Sequence, residues 1–166
     1  DNVSIALGGI YTYFDQTEIG EGSSAFNPQL VGSWQLADGL SLRASAAQRS
    51  RFPKLRELYR LRYGNPALQE EVANSYEIGL RRQFDNGLGL DMAVFTIDLD
   101  GMIDRPTRNS RYQNLDDSEI KGFEISASGW VSEQAYLHAG YSLVDAAEEL
   151  PDGRTRIVHV EAEPEF

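Results

Sequence analysis

Over much of this chain apolar and polar residues take turns one at a time, and that two-residue period constrains nearly everything else. Leu40, Leu42, Ala44 and Ala46 alternate with Ser41, Arg43 and Ser45. Tyr76, Ile78 and Leu80 alternate with Ser75, Glu77, Gly79 and Arg81, and Leu137, Ala139, Tyr141 and Leu143 with Tyr136, His138, Gly140 and Ser142. Successive side chains of an extended strand point to opposite faces, so each run has one greasy face and one wet face. Because the wet faces carry charges and small residues, the pattern suits a sheet with lipid on one side and trapped water on the other. The periodicity predicts eight strands, over Val3–Phe14, Phe26–Leu36, Leu40–Arg49, Ser75–Phe84, Leu88–Asp98, Glu119–Trp130, Ala135–Val144 and Arg154–Ala162.

The connections alternate as regularly as the residues. Ala37-Asp38-Gly39, Asp85-Asn86-Gly87 and Ser132-Glu133-Gln134 are tight turns, the first two with the glycine chemistry that supplies positive φ. Between the other strands lie long polar segments, Asp15–Ala25, Ser50–Asn74, Leu99–Ser118 and Asp145–Gly153. Short turns at one end and long loops at the other predict an all-β, antiparallel, up-and-down transmembrane barrel, its short turns periplasmic and its odd-numbered strands running outward. A soluble β-barrel of the lipocalin kind would instead need an apolar lumen.

Composition excludes several alternatives. At 41% hydrophobic residues the chain has no apolar run of the about 20 residues that a spanning helix needs, whereas a spanning strand needs only about 10, half of them polar. The absence of cysteine removes disulfides and thiolate–metal sites. A net charge of -11 opposes binding to nucleic-acid phosphates. The 166 residues suit one domain, residues 1–166, and the chain enters its first alternating segment without the basic start and apolar core of a secretory signal. Tyr11, Tyr13, Phe14, Trp34, Phe84, Phe95, Phe123, Trp130, Tyr136 and Tyr141 fall toward strand ends, where an aromatic girdle at the lipid interfaces belongs.

No catalytic or metal centre is expected. His138, Ser142 and Glu124 or Asp91 supply the residue types of a nucleophilic triad, but no nucleophile elbow or spacing accompanies them, so the chain reads as a non-enzyme. Asp98, Asp100 and Asp104 with Gly101 have the look of a calcium loop without its distal glutamate, and nothing calls for a cofactor.

Several segments carry a family resemblance. Arg51-Phe52-Pro53-Lys54-Leu55-Arg56-Glu57-Leu58-Tyr59, then Gly64-Asn65-Pro66-Ala67-Leu68-Gln69-Glu70, then Asn74-Ser75-Tyr76-Glu77-Ile78-Gly79-Leu80 resemble the barrel of TonB-dependent outer-membrane receptors. The likeness continues through Ala93–Asp98, Gly101–Asp104, Tyr112–Leu115 and Ile120–Glu124 in the family's order. It implies a 22-stranded barrel with an N-terminal plug and a TonB-contacting motif, of which eight strands form a middle-to-late part without the plug. Because an eight-stranded ring fills its own interior, a chain closed on itself would be a small barrel with a structural or adhesive role.

The resemblance further implies a bacterial outer-membrane receptor that captures a nutrient chelate, foremost a ferric siderophore, and imports it with the TonB complex. Lipid and lipopolysaccharide are the other implied partners. The candidate ligand-binding residues are Arg49, Arg51, Lys54, Arg56, Tyr59, Arg60, Arg62 and Tyr63, a basic cluster with interleaved tyrosines. Guanidinium forks and aromatic faces suit anionic, ring-bearing chelates. The alternative for the same cations is pairing with Glu57, Glu77 and Asp91, or with lipopolysaccharide phosphates.

Overall fold

The computed structural model describes residues 2–16, 21–115, 117–149 and 155–161. Its long strands are β1 (Val3–Gln16), β2 (Glu21–Ala37), β3 (Leu40–Arg51), β4 (Glu71–Gln83), β5 (Gly89–Asp100), β8 (Ser118–Ser132), β9 (Ala135–Glu149) and β10 (Thr155–Glu161). One helical turn, α1 (Leu55–Tyr59), lies in the β3–β4 loop, and two short strands, β6 (Ile103–Asp104) and β7 (Gln113–Asn114), pair within the β5–β8 loop. The long strands form one antiparallel meander in the order β1-β2-β3-β4-β5-β8-β9-β10. Among the described residues β1 and β10 do not pair, so the sheet stays open, as a stretch of a larger barrel does and a self-closed ring of eight does not.

All eight predicted strands are present, three of them extended at one end by four residues or more. β2 begins at Glu21 rather than Phe26, β4 at Glu71 rather than Ser75, and β9 runs to Glu149 rather than Val144. The segment Asp15–Ala25, expected to be a loop, is largely hairpin, with Asp15 opposite Gly22, Phe14 opposite Ser23 and Tyr13 opposite Ser24. Apolar alternation lapses there, but a backbone ladder needs no greasy side chain once its neighbour is in register. Residues 17–20 and 150–154, which the remaining loop expectations touch, lie outside the described residues. The tight turns are as expected, with Gly39 at φ 67 and Gly87 at φ 83, a region that costs residues with a side chain.

Register confirms the two faces. One rung joins Trp34, Leu42, Leu80, Met92, Ile125 and Tyr141, and the next joins Gly32, Ala44, Ile78, Val94, Phe123 and Leu143. The opposite face carries Ser33, Arg43, Gly79, Ala93, Glu124 and Ser142 on a single rung. Arg43 there bonds Glu77 at 3.1 Å and Asp91 at 2.6 Å, and Arg81 bonds Asp91 at 2.6 Å. Gly79 leaves room opposite for the Arg43 guanidinium, which would have to shift if a Cβ stood there. The apolar residues stay uncovered: Ile5, Leu7, Ile78 and Leu137 are all exposed.

The apolar band crosses the strands obliquely. On β1 the outward positions remain apolar or aromatic, apart from Gly9, from Val3 to Tyr13; on β9, starting from the same rung at Tyr141, they end at Leu143 and give way to Asp145. The upper limit thus drops by about eight residues, or about 27 Å, across six strand spacings totalling about 29 Å, a slope of about 40°.

The girdle expectation is corrected for four aromatics. Ladder parity puts Tyr11, Tyr13, Trp34, Phe123 and Tyr141 on the apolar face, but Phe14, Phe95, Trp130 and Tyr136 on the polar one, while Phe84 lies just past the end of β4. There Phe14 stacks on Phe52 at 5.7 Å, Phe95 lies over Gly122, and Trp130 meets Tyr136 edge-on at 5.4 Å. Position near a strand end is a weaker guide to face than odd or even number. Among the few buried side chains, Glu57, Leu58 and Ile103 lie not in the sheet but where two loops meet at its long-loop end.

Candidate functional site

The β3–β4 loop folds back over the polar face because its entry and exit are tied to one guanidinium. Arg51, at the end of β3, faces Glu71 across the ladder and binds it through Nε and Nη2, both at 2.5 Å, while Nη1 reaches Glu57 at 3.0 Å. Glu57 also accepts from the Lys54 backbone N–H at 2.9 Å, which fastens the first turn of α1, and Leu58 beneath it is 2% exposed. The hydrogen bonds to Glu71 raise the Arg51 pKa against a smaller opposing effect of burial, with Glu57 adding to the rise. Burial works against the Glu71 carboxylate, but Arg51, the Ile103 N–H and the charge of Lys54 together hold it below its ordinary value.

The β5–β8 loop docks against the first through a set of short polar bonds. Asn114 Nδ2 donates to Gly101 O at 2.7 Å and Gln69 O at 3.1 Å, and its Oδ1 accepts from Gln69 N at 2.9 Å. The Tyr112 N–H donates to Tyr63 O at 2.9 Å, Asn65 Nδ2 donates to Tyr112 O at 2.9 Å, and the Ile103 N–H donates to Glu71 at 2.6 Å. Gly101, at φ 65, makes the turn that lets Asn114 close over it.

Where the two loops meet, three guanidiniums gather on one ring. Arg105 lies 4.7 Å from the Tyr63 centroid, Arg62 5.5 Å and Arg60 5.6 Å, and Arg105 is also 5.4 Å from Tyr112. These are cation–π distances. None of the three has a carboxylate partner among the described residues, whereas Arg43, Arg51 and Arg81 all do.

The structure therefore divides the basic cluster read from sequence. Arg51 is a structural tie whose charge is spent on Glu57 and Glu71. Arg60, Arg62 and Tyr63 come together, while Lys54 and Arg56 are exposed around α1, Tyr59 is exposed at its end, and Arg49 is exposed on the polar face of β3. Arg105 and Tyr112 were missed by sequence reading. Their signal was a second basic and aromatic stretch, Arg105 to Tyr112, on a loop remote in sequence from the first.

The triad-like and calcium-loop-like residues singled out in the sequence are dispersed in the fold. His138 sits opposite Ser128 and Ser142 opposite Glu124, two rungs apart, so histidine and serine make no hydrogen bond. Asp98 and Asp100 line an outward depression with Asp117 and Glu119, while Asp104 belongs to β6, and among the described residues no group of acidic or histidine side chains is gathered to hold a metal.

Comparison with known proteins places this architecture. A family model described as TonB dependent receptor-like, beta-barrel matches residues 1–158. A probable TonB-dependent siderophore receptor, PiuA of Acinetobacter baumannii, is 31% identical over 86 residues, 49% of this chain and 11% of that protein. The vitamin B12 transporter BtuB of Photobacterium profundum is 25% identical over 164 residues, 90% of this chain and 27% of that protein. Among solved structures, the ferric-catecholate import receptor Fiu of E. coli K12 aligns at TM-score 0.62 and 20% identity over 81% of this chain and 20% of its own. The FrpB iron transporter of Neisseria meningitidis aligns at 0.65 and 20% identity over 97% and 24%. The chain thus spans about a quarter or less of the length of each.

Proposed function

Since the chain belongs to the family of TonB-dependent receptor β-barrels, we propose that it forms part of an outer-membrane barrel that takes up a nutrient chelate, foremost a ferric siderophore. On this reading residues 1–166 are one barrel stretch, and the plug and the TonB-contacting motif belong to the same receptor outside it. Lipid and lipopolysaccharide meet the apolar face. The band's slope of about 40° supports that placement, because spanning strands tilt by about 35–45°. The relatives are named as receptors and transporters, and no chemical reaction is proposed.

One observation carries the ligand reading: un-neutralised guanidiniums and tyrosines are presented by two interlocked loops at the long-loop end, over a polar inner face. Of the residues nominated from sequence, Arg60, Arg62 and Tyr63 are proposed to contact ligand, with Arg49, Lys54 and Arg56 as a surrounding positive field and Tyr59 as an aromatic face beside it. Arg51 acts by holding the loop. The test is radiolabelled-iron uptake by cells whose only iron receptor is the intact protein. Deleting residues 60–63 should abolish uptake of a supplied ferric siderophore while the barrel still assembles; undiminished uptake would refute the reading.

A further inference from the structure

We propose that Arg105, acting with Arg60 and Arg62, makes an anion-selecting site shared by two loops, so that the receptor admits negatively charged chelates and discriminates against neutral ones. This rests on the uptake reading above and adds to it a specificity and a residue from a different loop.

The first ground is charge accounting. The chain carries 26 acidic and 15 basic residues, so carboxylates abound, and Arg43, Arg51, Arg81 and Lys121 have each found one. Arg60, Arg62 and Arg105 have found none among the described residues. Asp104, beside Arg105 in sequence, turns its carboxylate to the Arg105 backbone N–H at 2.7 Å, not to the guanidinium.

The second ground is geometry. The three cations lie 4.7 to 5.6 Å from one ring centroid, and contact with a π face does not neutralise them, so they repel one another. They stay together because the loops carrying them are fastened by Asn65, Tyr112 and the Asn114–Gln69 pair rather than by mutual attraction. An incoming anion relieves that repulsion and a neutral chelate does not. A guanidinium held over a ring also keeps its in-plane N–H edges for oxygen acceptors; Arg105 commits only Nη1, to Arg108 O at 3.1 Å.

The third ground is loop origin. Arg60 and Arg62 belong to the β3–β4 loop and Arg105 to the β5–β8 loop, so the full charge exists only when both loops are docked. A ligand that fits this arrangement is multiply anionic with oxygen atoms at its rim, as a ferric tris-catecholate is.

The experiment uses the intact receptor in outer-membrane preparations and two probes of similar size, an iron(III) tris-catecholate of charge about -3 and a neutral iron(III) tris-hydroxamate. We expect tight catecholate binding that weakens with added salt, a loss of about tenfold or more in Arg105→Gln, and most of the affinity kept in Arg105→Lys. Heat-modifiability on gels monitors folding, and Arg60→Gln/Arg62→Gln provides a second route should Arg105→Gln misfold. Equal affinity for both probes, or an equal loss for both in Arg105→Gln, overturns the selectivity while leaving uptake standing. Binding of neither probe overturns the uptake reading itself.

Discussion

Replacing Arg51 by glutamine tests whether this residue is a structural tie or a ligand contact. The guanidinium makes three charge-assisted bonds, two to Glu71 at 2.5 Å and one to Glu57 at 3.0 Å. Its own side chain is 35% exposed, but those of Glu57 and Glu71 are only 5% and 14% exposed. Removing one partner of a buried pair costs about 3–5 kcal/mol, chiefly because the other charge is stranded. Here the lower end applies, since Arg51 is partly solvated and each carboxylate keeps a backbone donor, Lys54 N for one and Ile103 N for the other. A cost of about 3 kcal/mol confined to the loop is about a hundredfold rise in local opening. Hydrogen exchange on the detergent-solubilised receptor reads this at the amides of Leu58, Asn65 and Tyr112, which bond to Lys54 O, Glu57 O and Tyr63 O. Those amides should exchange about a hundredfold faster in Arg51→Gln while ladder amides such as Ile78 do not change. Adding Glu71→Gln should recover part of the loss by removing one stranded charge. Unchanged exchange at Leu58 and Asn65 would refute the tie.

Three further outcomes are expected. Glu71 is held below its ordinary value of 4.5, so its contribution to loop docking is complete above that value and fades as pH falls through the lowered native one; loop-amide protection should drop in that acid window, and Glu71→Gln should flatten the response. Asn114→Ala removes two hydrogen bonds between the loops and one within the β5–β8 loop and should cost about 2 kcal/mol of docking, seen as faster exchange at Tyr112 N and weaker binding of an anionic chelate; protection equal to the parent protein would show that the clasp is idle. Ile78→Arg sets a charge in the apolar band and should lower stability by about 2–4 kcal/mol at the bilayer midplane and less toward an interface, measured by urea titration in phospholipid vesicles, whereas Ser45→Arg on the polar face should be mild; equal effects would overturn the assignment of faces.

How much was legible differs between sheet and site. Leu42, Ile78 and Leu137 announce their face by parity alone, since a strand reverses its side chains at each residue whatever lies around it. Gly39 and Gly87 announce their turns because positive φ is a property of a residue, not of a fold. Phe14, Phe95, Trp130 and Tyr136 follow that same parity onto the polar face although they sit toward strand ends. Ser23 and Ser24 carry no strand signal of their own, because their strand is held by partners on β1 and not by their hydrophobicity.

The basic run from Arg49 to Arg62 was visible as a run, but its members were not distinguishable. Whether a guanidinium is neutralised depends on which carboxylate the register brings opposite it, and Glu71 lies twenty residues from Arg51 in the chain. Arg105 was invisible as a member of the site, because nothing within its own loop shows that it comes to rest on Tyr63, forty-two residues earlier.

By itself, then, the order of residues determined a two-faced antiparallel meander with short turns at one end and long loops at the other, because periodicity and turn chemistry are local properties of the backbone. Which charges are spent on holding the loops, and which are left for a ligand, was decided only by the tertiary structure, because pairing between side chains remote in sequence depends on register and docking that no local pattern encodes.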